Sequence, residues 1–279
     1  MPKLFKCSEG HHWQATRAGS ETCPICGLVG AGIPPTAFLT AKIDLNLAGE
    51  PINLEVTVPV RPVRRIELLP VFQSVAEVII DQAVQKAEAG GAKVSCKAGC
   101  GACCRQLVPI TETEAHRIRN VVAEMPKPRR SEILARFAHS RNALQKANLL
   151  EPLLQPTQVN DDDLRPFGLK YFFLGIPCPF LENESCSIYP DRPIACREYL
   201  VTSPAENCKN PTSETVTCIK PAAKVSNAVA RLDNASCNDS IPWVPLILAP
   251  EWAKAHPEEP PVQPGPDLIQ RLFYLLARR

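Results

Sequence analysis

Thirteen cysteines in 279 residues are the chemistry this chain carries most plainly, and they are clustered rather than spread. The first group is Cys7-Ser8-Glu9-Gly10-His11-His12-Trp13, followed by Cys23-Pro24-Ile25-Cys26-Gly27. Two thiolates three residues apart can grip one ion, and a glycine directly after the second permits the tight turn that closes the knuckle. With Cys7 and His11, Cys23 and Cys26 form a Cys3His set, the composition of a closed zinc site that is structural rather than catalytic. His12 competes with His11 for the fourth position. The second group is denser: Cys96-Lys97-Ala98-Gly99-Cys100-Gly101-Ala102-Cys103-Cys104. On a helical period Cys96, Cys100 and Cys103 share one face. Adjacent Cys103 and Cys104 reach one ion together only through local distortion; otherwise one serves a second metal or is simply buried. Further on stand Cys178-Pro179-Phe180-Leu181, Cys186-Ser187-Ile188-Tyr189 and Arg192-Pro193-Ile194-Ala195-Cys196-Arg197. Pro193 suits the first turn of a helix, which sets Cys196 near a helix start beside two arginines, and both features favour a thiolate. Arg192 and Arg197 are also placed to offset the charge of a thiolate-rich site. Cys208 follows closely enough to be an extra ligand. Cys218 and Cys237 read as unliganded.

Thiolate-rich sites select zinc, copper(I) or iron–sulfur clusters over magnesium or calcium. Seven cysteines exceed one tetrahedral site, so some are spare, or two metals are bound, or a cluster is present. Zinc, mononuclear or dinuclear, is the first reading; iron or an iron–sulfur cluster is the second. The Cys-x3-Cys-x2-Cys-Cys block with the later Cys-Pro-Phe-Leu, Cys-x-Ile-Tyr and Arg-Pro-x-x-Cys-Arg elements resembles the YkgJ-type cysteine-cluster proteins, over roughly residues 90–205. The resemblance implies zinc or iron chelation through the cysteines and leaves the reaction open. The opening Cys-x2-Gly-His-x-Trp is similar to that of a zinc ribbon, which implies a module of the kind that binds proteins or nucleic acids.

An enzymatic alternative starts from the same residues. Cys96-x3-Cys100-x2-Cys103 has the spacing of the radical S-adenosylmethionine motif. That motif usually has an aromatic residue where this chain has Ala102, and it is followed by a run of β/α units that the proline-interrupted sequence after Cys103 lacks. Relatives of the chelating family are linked to lysine methylation, but no glycine-rich methyl-donor loop is present. Phosphate-loop, nucleophile-elbow and His-Glu-x2-His patterns are absent as well. The function classes are therefore a metal-binding module, an iron–sulfur or open-zinc enzyme with methyl transfer as one form, and an interaction protein whose zinc is only structural.

Several elements must position these groups. Residues 41–60 alternate, with Ile43, Leu45 and Leu47 and then Ile52, Leu54, Val56 and Val58 on one face, which predicts a β-hairpin. Pro59, Pro62 and Pro70 read as a linker. Phe72, Val75, Ile79 and Ala83 share a helical stripe stopped by Gly90-Gly91. Thr111-Glu112-Thr113-Glu114 is a capping box opening a helix that ends at Pro126, and a further helix spans about 128–148. Residues 151–168, with Asp161–Asp163, read as a solvated loop, Tyr171–Ile176 as a buried strand, and His116 and His139 as solvated helix histidines. Tyr189 reads as core. Residues 203–265 read as coil with short helices, and Leu268–Leu276 as a final amphipathic helix.

The expected fold is a mainly α, loop-rich metal-binding domain with a small N-terminal zinc ribbon and a β-hairpin, α+β overall. The expected domains are a ribbon-like module at 1–32, hairpin and linker at 33–70, the chelating domain at 71–210 and a proline-rich extension at 211–279. A formal charge of +2 argues against a strongly basic nucleic-acid binder. No membrane-spanning run or secretory leader is evident, and an odd number of clustered cysteines fits a reducing, cytoplasmic setting better than a disulfide scaffold. The expected partners are metal ions, and a protein partner at the ribbon.

Overall fold

The computed structural model describes residues 3–9, 12–15, 21–23, 26–33, 37–156, 161–212, 214–234, 241–257 and 263–278. The N-terminal module is a three-stranded antiparallel sheet in which β1 (Lys3–Lys6) lies between β2 (His12–Ala15) and β3 (Ala31–Ile33). The alternating segment forms the expected hairpin, β4 (Phe38–Leu47) and β5 (Glu50–Pro59), in register from Phe38↔Pro59 to Leu47↔Glu50. Ala48 and Gly49 close it at φ 54° and 89°. Two positive φ angles give the turn whose twist matches that of the strands.

The inner face of β5 (Ile52, Leu54, Val56, Val58) packs on α1 (Arg65–Ala89) through Leu68, Phe72, Val75 and Ile79. Two later helices complete this core: α7 (Val225–Asp233) through Val225 and Val229, and α9 (Gly265–Ala277) through Leu268, Leu272 and Leu276. Ile194, fully buried, belongs to the same cluster and ties it to the cysteine segment. A short pair, β6 (Pro62–Val63) with β11 (Gln263–Pro264), holds the start of α9 against the start of α1.

A second core joins α2 (Glu112–Glu124) and α3 (Lys127–Lys146) to Phe180 and Ile188, with Cys178 and Cys186 packed against it. The capping box forms as read: Thr111 Oγ1 accepts from the Glu114 N–H, and the Glu114 carboxylate accepts from the Thr111 N–H. The pair β7 (Pro109–Ile110) with β10 (Val244–Pro245) brings α8 (Ala249–Ala255) onto α2. The architecture is mainly α with small strand pairs, as expected. None of the described helices is long and apolar enough to cross a membrane.

Several expectations fail for physical reasons. Pro70 is not a break: α1 starts at Arg65 and Pro70 is its sixth residue, so only the opening turns lose a hydrogen bond while Leu68, Leu69 and Phe72 bury beside it. Residues 151–168 are not all loop. They hold α4 (Leu150–Leu154) and the start of α5 (Asp161–Phe173), which Asp161–Asp163 open, as acidic residues favour at a helix N-terminus. The predicted strand at Tyr171–Ile176 is instead the end of α5 and the turn after it. A short apolar run alone does not separate the two states. His116 is buried, its ring 5.5 Å from that of Trp252. Tyr189 is 58% exposed, with the Arg192 guanidinium 4.2 Å over its ring. His139 is exposed, as read.

Candidate metal centre

In the N-terminal module the ligand atoms of Cys7, Cys23 and Cys26 all lie within 4.8 Å of one another. The sulfurs of Cys7 and Cys26 are 3.6 Å apart. Four ligands at about 2.3 Å around a tetrahedral zinc stand roughly 3.8 Å from each other, so this spacing fits one ion. The knuckle is built by backbone: the Gly27 N–H donates to the Cys23 carbonyl at 2.9 Å, and Gly27 sits at φ 75°. The turn thus needs the glycine for the reason read from sequence. Cys7 and Cys23 are buried. His11 lies outside the described residues, and the competing His12 lies in β2 opposite Lys6.

The second constellation gathers from three stretches. Residues Ala102–Arg105 form a 3-10 turn, not a regular helix, and this is the distortion that turns Cys103 and Cys104 together. The Cys178 N–H donates to the Cys104 carbonyl at 2.7 Å, joining the first stretch to the second. Cys186 ends the small hairpin of β8 (Leu181–Glu182) and β9 (Ser185–Cys186). Two clamps hold that hairpin. Arg105 takes both carboxylate oxygens of Glu184, at 2.7 and 3.0 Å, and also donates to the Gly101 carbonyl. Glu182 accepts from Arg129 and Arg136 of α3. Gly101 lies where a Cβ would meet Glu184 Oε2 at 2.6 Å, Leu181 Cδ1 at 2.7 Å and Glu184 Cα at 3.2 Å, so the two segments touch through a residue without a side chain.

Cys196 lies in the short helix α6 (Ile194–Glu198). Its start is capped by Glu114, whose Oε1 accepts from the Ile194 N–H at 2.6 Å. The expected thiolate character is overturned for the metal-free chain. Burial pushes the Cys196 thiol well above its ordinary range, and Cys178 and Cys103 nearby add to it. Burial likewise pushes Cys178 up to about 12 and raises Cys96, Cys186 and Cys208. Cys103 is raised first by the adjoining Cys104 thiol and then by burial. These thiols lie within electrostatic reach of one another and are partly removed from water, so each added negative charge disfavours the next. A metal ion reverses that logic, because it takes thiolates and releases protons.

Arg192 and Arg197 divide the role expected of them. Arg192 is within electrostatic reach of Cys103 and Cys186 and lowers both. Its Nε is buried and has no hydrogen-bond partner among the described residues. A buried N–H left open is costly, and an anionic, sulfur-rich group beside it would satisfy it. Arg197 points elsewhere, to Glu77 and to the carbonyls of Pro190 and Arg192.

In the third stretch, sequence reasoning took Cys208 as an extra ligand and missed Cys218. Cys208 is buried in a 3-10 turn, Ala205–Lys209, that packs on the Cys103 turn. Cys218, read as unliganded, pairs through backbone with Val201, whose N–H donates to Cys96 Sγ at 3.4 Å. Tyr199 lies between Cys218 and Gln106, which donates to its hydroxyl at 3.0 Å. No spacing motif marks Cys218; only the Val201 pairing brings it in. Cys237 lies outside the described residues. Every described cysteine is a free thiol.

The donor set is thiolate-rich, half-buried and drawn from distant stretches, and it fits a soft or borderline metal. Residues 95–219 match the CxxCxxCC family model, described as "Putative zinc- or iron-chelating domain". The match runs from the residue before Cys96 to the residue after Cys218, so it spans all three stretches. Neither a curated protein nor a solved structure matches the chain. The cysteine-cluster segment at 95–219 is thus similar to the domain of this zinc- or iron-chelating family.

Proposed function

We propose that the chain is a cysteine metalloprotein with two separate metal sites. The first is a structural zinc held by Cys7, Cys23 and Cys26 with His11 as the fourth ligand. A module of about 30 residues buries too little apolar surface to fold alone, so zinc supplies its folding energy. The second is a thiolate-rich centre held by Cys96, Cys100, Cys103, Cys104, Cys178, Cys186, Cys196 and Cys208, in a protein of a reducing, cytoplasmic compartment.

One observation carries the reading of the second centre. Its sulfurs influence one another's ionisation, yet outside the ribbon no three ligand atoms among the described residues lie within 4.8 Å of one another. That is wider than the roughly 3.8 Å of one tetrahedral zinc. An iron–sulfur cluster spans such a set without contraction, because inorganic sulfide fills part of each iron's coordination. Two zinc ions with shared thiolates would draw the sulfurs together on binding. The open Nε of Arg192 favours a group with exposed sulfur charge. An enzyme that uses this centre, with methyl transfer as one form, is the second reading.

The test is anaerobic purification followed by metal, sulfide and optical analysis of one sample. More than two metal atoms per chain, either all zinc and colourless or one zinc plus iron and sulfide, is the expected result. A total of one metal atom per chain, unchanged by Cys178→Ser, would refute the second site.

A further inference from the structure

The β4–β5 hairpin is unequally covered. On β5 the core-facing Ile52, Leu54, Val56 and Val58 are buried. Their register partners on β4 (Leu45, Ile43, Ala41 and Leu39) are only partly buried, though they face the same side. Beneath β4 runs a shallow apolar groove of about 200 Å³, floored by Ile269 and Phe273 of α9. Among the described residues β4 pairs with β5 alone, so the other edge of a ten-residue strand carries no partner.

The register says which groups that edge offers. A two-residue turn makes Leu47↔Glu50 a hydrogen-bonded pair. Leu47, Leu45, Ile43, Ala41 and Leu39 therefore spend their backbone groups on β5. Asn46, Asp44, Lys42 and Thr40 direct theirs outward. The side chains of these four are all exposed. A long open edge over half-exposed apolar residues is a template for strand addition.

We propose that β4 is a dimerisation edge, on which a second copy of this chain adds its own β4 antiparallel about a two-fold axis at Ile43. Charge selects the occupant and the register. Outward groups can meet outward groups in only a few registers. Centring on Lys42 or on Asp44 sets like charges face to face. Centring on Ile43 sets Lys42 of each copy against Asp44 of the other, twice, and Thr40 against Asn46. On the inner face it sets Ile43 against Ile43 and Ala41 against Leu45, extending the apolar layer over the groove. This symmetry is that of an isologous dimer.

The experiment is sedimentation equilibrium of the metal-replete full chain over a concentration series, with amide exchange read at residues 40, 42, 44 and 46. A monomer–dimer equilibrium is expected, with those four amides slowed in the dimer. Asp44→Lys puts lysine against lysine twice across the axis, while its neighbour within the hairpin is the neutral Asn53. It should weaken the dimer about tenfold or more. Mixing the Asp44→Lys and Lys42→Glu chains should give a heterodimer stronger than either homodimer. A chain monomeric at all concentrations overturns the proposal. So does a dimer indifferent to Asp44→Lys whose four amides exchange freely.

Discussion

Gly101→Ala tests whether the close contact between the first two cysteine stretches sets metal affinity. An added Cβ would stand 2.6 Å from Glu184 Oε2 and 2.7 Å from Leu181 Cδ1. Those two atoms end flexible side chains and can swing away. The third contact, 3.2 Å to Glu184 Cα, is backbone, and relieving it moves the β8–β9 hairpin by a few tenths of an ångström. Retreat of the Glu184 carboxylate also loosens its pair of bonds to Arg105. Overpacking of this size costs about 1–3 kcal/mol. The metal-free chain can relax by letting the hairpin drift, whereas the loaded centre needs Cys186 in place, so most of the cost falls on the loaded state. Metal affinity should drop about fivefold to a hundredfold. The assay is competition with a chelator of known affinity, with helix content checked by circular dichroism. Gly168→Ala is the control, because its Cβ meets nothing within 4 Å in α5. A Gly101→Ala protein that holds metal as tightly as the wild type, at equal stability, would refute the reasoning.

Cys100→Ser and Cys196→Ser should each lower bound metal by about one ion or one cluster, while Cys237→Ser leaves it unchanged; equal metal in all three would sink the ligand assignment. Glu114 is buried and burial pushes it up to about 7 from 4.5. Its folded state is therefore favoured below pH 4.5, and about 3 kcal/mol of that stability is lost as pH rises through 7. Urea unfolding of Glu114→Gln across this window should show a flatter pH dependence at lower overall stability, since the amide faces both the Thr111 and Ile194 N–H donors; an unchanged slope would contradict the assignment. Gly265→Ala should lower stability by about 1–3 kcal/mol, because its Cβ would sit 2.3 Å from the Pro59 carbonyl oxygen, a backbone atom; an unshifted thermal midpoint would count against that packing.

What was legible in the sequence follows from how local each signal is. The hairpin could be read because alternation over ten residues per strand has one buried-face solution. The capping box at Thr111 and the stripe of α9 are equally local. The failure at Pro70 has a local cause. It is the sixth residue of its helix, near enough to the start that burial of Leu68, Leu69 and Phe72 overrides the lost hydrogen bond. The cysteines of the first two stretches were legible from their motifs, but their ionisation was not. A helix start and adjacent arginines argue for thiolates, whereas burial, visible only in the fold, argues more strongly against them. Cys218 joins the site through a backbone pairing with Val201 that no spacing rule encodes.

The hydrogen bond between Cys178 and the Cys104 carbonyl closes a long excursion of the chain. Everything from α2 to α5 leaves and returns through that neck, and the thiols sit in it. On the proposed ligand set, a metal bound there would be a reversible cross-link across a loop of more than seventy residues. By chain-entropy reckoning such a link is worth roughly 4 kcal/mol against the unfolded ensemble. The link would add to the tethering that the β7–β10 pair and the packing of α8 on α2 already give the excursion. Removing the metal frees its base first, so limited proteolysis of a chelated sample should find its earliest cuts on either side of the neck, while the helices beyond it still hold.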